Sequence, residues 1–178
     1  TDRALLEFCC GPASRLGAPR YAAAGCLTIR LTATDDLRTD AGRDFALAQV
    51  ERATTSGLYV ALWGSLPCTA GSPWFRMNQK YPSAVAKNAE QLEDFRKLIV
   101  NFRAVADRVI AVNGDIHYEW PTGCALWADN AITVMVNDYG LHKIDFHGCA
   151  LGLRAQYGAK RPIKKPWTVA TTSASMFN

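Results

Sequence analysis

LYVALWGSLPCTAGSPW, residues 58–74, opens with an apolar run that stops at Gly64-Ser65 and is followed, after Leu66, by Pro67 and Cys68. A run of this length, rich in large apolar residues and bounded by turn residues, reads as a strand buried on both faces, as in a parallel sheet. In open α/β sheets ligands bind beyond the carboxyl ends of the strands. Cys68 therefore stands where such a fold does its chemistry. A thiolate is a strong nucleophile even when only partly ionised. Free cysteine is also among the most buried residue types, which is the plain alternative. The small and polar residues around Cys68 favour function, and Arg76 and Lys80 are close in sequence.

The rest of the chain alternates in the same style. ALLEFCC (4–10) reads as a strand, followed by a short helix over 13–24 closed by Gly25. CLTIRLT (26–32) is a second strand. Thr39 or Asp40 caps a helix over 41–54, which Ser56-Gly57 ends. Beyond Cys68 a long helix begins near Ser83 and ends near Asn113-Gly114. Its Val85, Leu92, Phe95, Ile99, Phe102, Ala106 and Val109 fall on one stripe at helical spacing. DIHYEW (115–120), a helix around 126–139, the strand and turn LHKIDFHGCALG and a last strand KPWTVATT complete the series; an antiparallel edge position is open to that last strand. No repeat and no linker divides the chain. The expectation is one α/β domain over 1–178, Rossmann-like, with a mostly parallel sheet and helices on both faces.

Bulk properties agree with a globular domain. The 178 residues suffice for a real core, and 49% hydrophobic with 20% charged residues excludes a disordered chain. No apolar run is long enough to span a bilayer, and TDRALLEF enters the first strand without a signal-peptide pattern. Six cysteines occur without a CxxC pair, in a chain larger and less loop-rich than a stapled secreted scaffold. They predict reduced thiols in the cytoplasm or nucleus. The net charge of +4 is mild, but Arg154, Lys160, Arg161, Lys164 and Lys165 form a basic loop free of acids. Such a loop is either a solvated surface or a contact to a phosphate backbone.

Three further strand ends hold candidate groups. In FCCGPASRLG, Gly11 lies in a tight turn before a helix start, where a glycine lets a ligand approach the backbone; the three-glycine nucleotide fingerprint is absent. Asp35 and Asp36 close strand two, where related folds hold ribose hydroxyls, and where helix capping is the plain alternative. Glu119 ends an apolar strand, costly to bury without a partner or a task. Trp120 and Trp127 flank it, as base-stacking or core residues. His117, His142, His147 and Cys149 lack usual zinc spacing. A thiol hydrolase pairing Cys68 with a histidine is a further, weaker reading.

On these motifs the chain resembles the catalytic half of DNA cytosine-5 methyltransferases, a Rossmann-like family that uses S-adenosylmethionine. It is also similar to short methyltransferase-like domains of retroelement and viral polyproteins, most of all in GCALGLRAQYGAKRPIKKPWTVATT (148–172). The resemblance implies that EFCCGPASRLG holds the methionine part of the cofactor through Glu7, Phe8 and Gly11. Asp35 or Asp36 then faces its ribose or adenine. GSLPC is similar to the Pro-Cys motif, which makes Cys68 the nucleophile toward carbon 6 of cytosine. HYEW is similar to the Glu-Asn-Val motif, which makes Glu119 the grip on the base's ring nitrogen and amino group. The implied partner is DNA or RNA, contacted through Arg154, Lys160, Arg161, Lys164 and Lys165, with the base flipped out. Departures are Thr69 after Pro-Cys, Trp120-Pro121 after Glu119, no clear match to the later paired arginines, and no room for a target-recognition domain. SLPC is also a loose variant of the Ser-Pro-Pro-Tyr motif of amino-methyltransferases, in which Ser65 holds an exocyclic amine and Cys68 need not attack. The alternative is a domain of a mobile element or virus that keeps the fold, has lost the chemistry and binds nucleic acid or serves assembly.

Overall fold

Six strands form the sheet of the computed structural model, which describes residues 1–176 and leaves the side chain of Arg76 outside the described set. They are β1 (Arg3–Phe8), β2 (Cys26–Leu31), β3 (Tyr59–Gly64), β4 (Asp115–Pro121), β5 (His142–His147) and β6 (Pro166–Thr171). The helices are α1 (Pro19–Ala23), α2 (Asp40–Thr55), α3 (Pro73–Asn78), α4 (Pro82–Ala111) and α5 (Asn130–Asp138). The sheet order is β2-β1-β3-β4-β6-β5.

The expectation of a mostly parallel sheet is corrected. β2, β1, β3 and β4 are parallel, whereas β6 pairs antiparallel with both β4 and β5, so the sheet is mixed. The cause is local. Residues 148–165 turn the chain back on itself, so β5 and β6 pair as a long hairpin (register His147↔Pro166), and β6 slots between β5 and β4. β6 is therefore internal rather than an edge, and its Thr168, Val169, Ala170 and Thr171 are buried.

Strand alternation sorts the residues into two layers. Leu6, Phe8, Leu62, Ile116, Tyr118 and Trp120 lie on one face and are fully or almost fully buried. Phe102 of α4 meets both Phe8 and Tyr118 edge-on there, at 5.4 and 5.3 Å between ring centroids. The buried stripe of α4 runs Phe95, Leu98, Ile99, Phe102, Val105, Ala106, Val109. Val85 at the helix start is exposed, outside the stripe expected from its spacing. The opposite face is covered more thinly. Residues 14–23 lie over its β2 end, where Arg30 donates to the Ser14 carbonyl (2.9 Å) and Thr28 to that of Leu16 (3.1 Å). The helix expected over 13–24 shrinks to a 3-10 turn at Arg15–Gly17 and the five-residue α1, because Pro19 cannot donate within a longer helix.

β1 lies between β2 and β3, so the chain leaves it in one direction and later proceeds in the other. The switch point opens a crevice beyond the carboxyl ends of β1 and β3.

Candidate active site at the sheet rim

Because β1 to β4 are parallel, the segments after Phe8, Leu31, Gly64 and Pro121 all emerge on one rim. The 148–165 excursion returns to the same rim, since Pro121 pairs with Trp167. Two hollows open there. The first, about 360 Å³, is walled by Cys9 and Cys10 after β1, by Asp36 and Leu37 after β2, by Pro67 and Ala70 after β3, and by Asp94, Phe95 and Leu98 of α4. The second, about 440 Å³ and mostly apolar, has Glu119 and Lys165 among Phe146, Leu153, Ile163 and Trp167.

Cys68 lines neither hollow: it is partly buried, packed against the core and set between residues of the two. Its neighbours Pro67 and Thr69 line the first hollow, while its half-buried thiol senses the charges of Lys165 and Glu119 in the second. Burial raises the thiol's pKa above its ordinary value; Lys165 counteracts and Glu119 adds to the rise. Glu119 accepts a hydrogen bond from the Ser65 hydroxyl at 3.3 Å. Burial likewise pushes its carboxyl upward, partly offset by Ser65 and Lys165. Lys165 sits 4.2 Å above the ring of Trp167.

Two 3-10 turns fix this segment. Thr69–Gly71 follows Cys68 and Ala125–Ala128 follows Cys124, and the Cys124 thiol contacts the Cys68 carbonyl at 3.8 Å. Gly71 is required there: a Cβ would lie 2.7 Å from the Cys124 sulfur and 2.8 Å from the Leu126 backbone nitrogen. From below, the Trp120 indole donates to the Leu66 carbonyl at 2.6 Å.

The remaining expected residues separate. Glu7 is buried, accepts from the Ser14 hydroxyl and faces Arg30 at 3.9 Å. Phe8 is core. Neither lines a hollow, because strand alternation turns Glu7 to the thinly covered face and Phe8 onto α4. Gly11 is exposed, and a Cβ added there would meet nothing, so no close backbone approach is built at that glycine. Cys9 makes the turn instead: its φ of 64° is a left-handed conformation that non-glycine residues rarely adopt. Burial pushes its thiol up to about 12. Asp35 serves as a cap, accepting from the Thr32 backbone N–H at 2.6 Å. Asp36 does line the first hollow, where Arg38 holds it at 2.8 Å and also reaches Asp94 of α4 at 3.0 Å. Trp120 is buried core, and Trp127 is partly buried with its indole bonded to the Pro121 carbonyl. Arg154, Lys160, Arg161 and Lys164 project from the 148–165 segment and are exposed; Lys165 is at its base.

Sequence reading missed Asn101. It is buried in α4 and donates to the carbonyls of Leu37 and Thr39, at 2.9 and 3.1 Å, so it pins the loop that carries Asp36. A polar residue inside an apolar helix stripe was the signal available. Tyr118 was also missed. Its hydroxyl is buried without a hydrogen-bond partner, and its surroundings include Cys9, Cys68 and Cys124. An unmade buried hydrogen bond costs about 1–3 kcal/mol. Tyr118→Phe is therefore expected to raise stability by about 1 kcal/mol, read as a higher midpoint in urea unfolding.

Among the described residues, no group of three or more His, Cys, Asp or Glu side chains is placed to hold a metal ion, all six cysteines are free, and no helix is long and apolar enough to cross a membrane. The rim defines an α/β protein with a strand-end crevice and a thiol between two hollows. Compared with protein-family models, with curated proteins and with solved structures, the chain matches none.

Proposed function

We propose that this domain is a methyltransferase that uses S-adenosylmethionine and acts on a nucleic acid base, most like the cytosine-5 class, with Cys68 as nucleophile. The observation that supports it best is the position of Cys68 between a hollow of small-molecule size and a second one that carries Glu119. The first hollow lies within the usual range for cofactor sites and combines a carboxylate, Asp36, with apolar walls from Leu37, Phe95 and Leu98. Those residues, with Cys9 and Cys10, fit a nucleoside-bearing cofactor. When bound, S-adenosylmethionine supplies an electrophilic methyl group.

The chain's own residues do the rest. Burial shifts the Glu119 carboxyl toward its protonated form, the form that would donate a proton to a ring nitrogen. Ser65 fixes that carboxyl. Cys68 would add as thiolate across the ring's 5,6 double bond while the ring nitrogen takes the Glu119 proton, and would be expelled when the methylated ring loses the proton on its carbon 5 and the double bond re-forms; Lys165 favours the ionised thiol. Isothermal titration with S-adenosylmethionine tests the reading: binding weakened by Asp36→Ala supports it, and no heat at high protein concentration counts against it.

The pH dependence of Glu119 gives an independent check. Because its folded pKa is raised, the neutral form's contribution to stability is complete below the ordinary glutamate range, about 4.3, and is lost as pH rises through the folded value. Glu119→Gln, which never ionises, is expected to melt a few degrees higher than wild type at neutral pH, with the gap closing as the pH falls toward about 4. Thermal melts across pH read it.

The second reading, a nucleic-acid-binding domain without chemistry, is favoured by the raised Cys68 pKa and by Glu7, Phe8 and Gly11 lying outside the first hollow. It expects salt-sensitive nucleic acid binding that ignores the cofactor.

A further inference from the structure

The basic segment is an ordered hairpin. Gly148 donates to the Lys165 carbonyl at 2.8 Å, Ile163 to Leu153 at 3.0 Å and Ala155 to Arg161 at 2.9 Å, and Arg154 bridges Pro162 in antiparallel register. Left-handed turns at Gly158 and Lys160 close its tip. Side chains divide by position along it. Leu153 and Ile163 form a wall of the second hollow, above Glu119. Arg154, Lys160, Arg161 and Lys164 stand outside and are exposed, and residues 146–165 contain no acid. Tyr157, at the tip, is 82% exposed. A large aromatic ring left in water in a segment of cations and no acids has an obvious chemical complement: a flat base joined to phosphates.

We infer that the 148–165 hairpin is a single-strand nucleic acid platform, on which Tyr157 stacks an unpaired base and the flanking cations hold its phosphates while a neighbouring base enters the hollow over Glu119. This deepens the proposed reading and rests on its nucleic acid half alone; the cofactor plays no part in it. Single strands suit the site better than a duplex for an energetic reason. A paired base must be unstacked at a cost of a few kcal/mol before it can enter a hollow. Apolar residues in a basic hairpin also suit an anionic membrane surface: Leu153 and Ile163 line the second hollow yet stay 38% and 40% exposed, and Leu151 is 75% exposed, so vesicle binding is the competing outcome of the test.

The test is fluorescence anisotropy without S-adenosylmethionine, using labelled oligonucleotides of about 12 residues as single-stranded DNA, single-stranded RNA and duplex DNA of the same sequence, beside phosphatidylserine vesicles. Single strands are expected to bind at least about tenfold more tightly than the duplex, since base–aromatic stacking is worth ~1–3 kcal/mol per base. Tyr157→Ala should weaken single-strand binding by about tenfold and leave the salt slope unchanged. Arg161→Ala should lower that slope by about 0.7. Both side chains are exposed, and an unchanged melting temperature confirms that the variants are folded. A preference between DNA and RNA identifies which strand supplies the bases and phosphates; either one supports the platform. Equal or tighter duplex binding, unchanged affinity in Tyr157→Ala, or vesicle binding in place of oligonucleotide binding overturns it. Failure of the cofactor titration alone leaves the platform standing and removes the methyltransferase reading.

Discussion

Cys68→Ser is expected to abolish base modification and covalent trapping together, with transfer reduced by roughly 10⁴-fold or more, the scale on which a lost nucleophile is measured. Cys9 and Cys10 also wall the first hollow, but Cys68 is the thiol on which Lys165 and Glu119 act, and among the described residues around it no free base stands ready to activate a serine hydroxyl: Ser65 is engaged with Glu119, and Lys165 lies over Trp167. A fluorinated cytosine in a single-stranded oligonucleotide, incubated with S-adenosylmethionine, should give a denaturation-resistant adduct with wild type and none with the variant. The wild-type thiol should also show a distinctive pH profile. Burial raises its pKa, so its alkylation rate should climb about tenfold per pH unit through the neutral range, as the thiolate fraction does. Oligonucleotide binding brings phosphate near Lys165 and should slow that alkylation by occupying the second hollow. Activity that survives Cys68→Ser transfers the proposal to the amino-methyltransferase version, in which Ser65 holds the amine.

The rim was legible for a definite reason. Apolar runs ending in Gly, Pro or acid mark the carboxyl ends of buried strands, and parallel strands place those ends together. Cys68, Glu119 and the Asp35-Asp36 pair were placed on the rim by that logic, Ser65 came only from the resemblance to the Ser-Pro-Pro-Tyr motif, and all six strands were read from the sequence. What stayed hidden depends on contacts distant in sequence. Asp35 and Asp36 are the exception, because the local Thr32-x-x-Asp35 capping box separates Asp35, which bonds back to Thr32, from Asp36, which lines the hollow. The glycine signal at Gly11 misled because the left-handed residue is Cys9, two positions earlier. β6 looks like an edge strand in isolation, and its internal place follows only from the reversal through 148–165. That segment read as an irregular loop because its proline and glycines mask a ladder whose bonds join residues 6 to 17 positions apart. The second hollow exists only because this hairpin folds over β4.

Trp120→Ala is expected to be the most damaging single change to stability, costing about 3–5 kcal/mol as large aromatic truncations in cores do. That is a large share of the ~5–15 kcal/mol typical of a whole domain. Trp120 is almost fully buried and meets Tyr118, Trp127 and Phe95 at 4.9, 5.4 and 5.8 Å between centroids, so its loss opens the centre of an aromatic cluster with no neighbour free to fill it. Urea unfolding should show the midpoint fall with little change in slope. Trp120→Phe separates packing from positioning. It keeps an aromatic ring but removes the donor to the Leu66 carbonyl, leaving a buried acceptor unpaired at a cost of about 1–3 kcal/mol. Leu66 lies between Ser65 and Cys68, so that lost bond acts on the loop that sets both groups. Trp120→Phe should therefore lose less stability than Trp120→Ala yet change the Cys68 alkylation profile and weaken the hold of Ser65 on Glu119. Equal effects of the two variants on stability, with an unaltered thiol profile in Trp120→Phe, would confine Trp120 to packing and detach the core from the site above it.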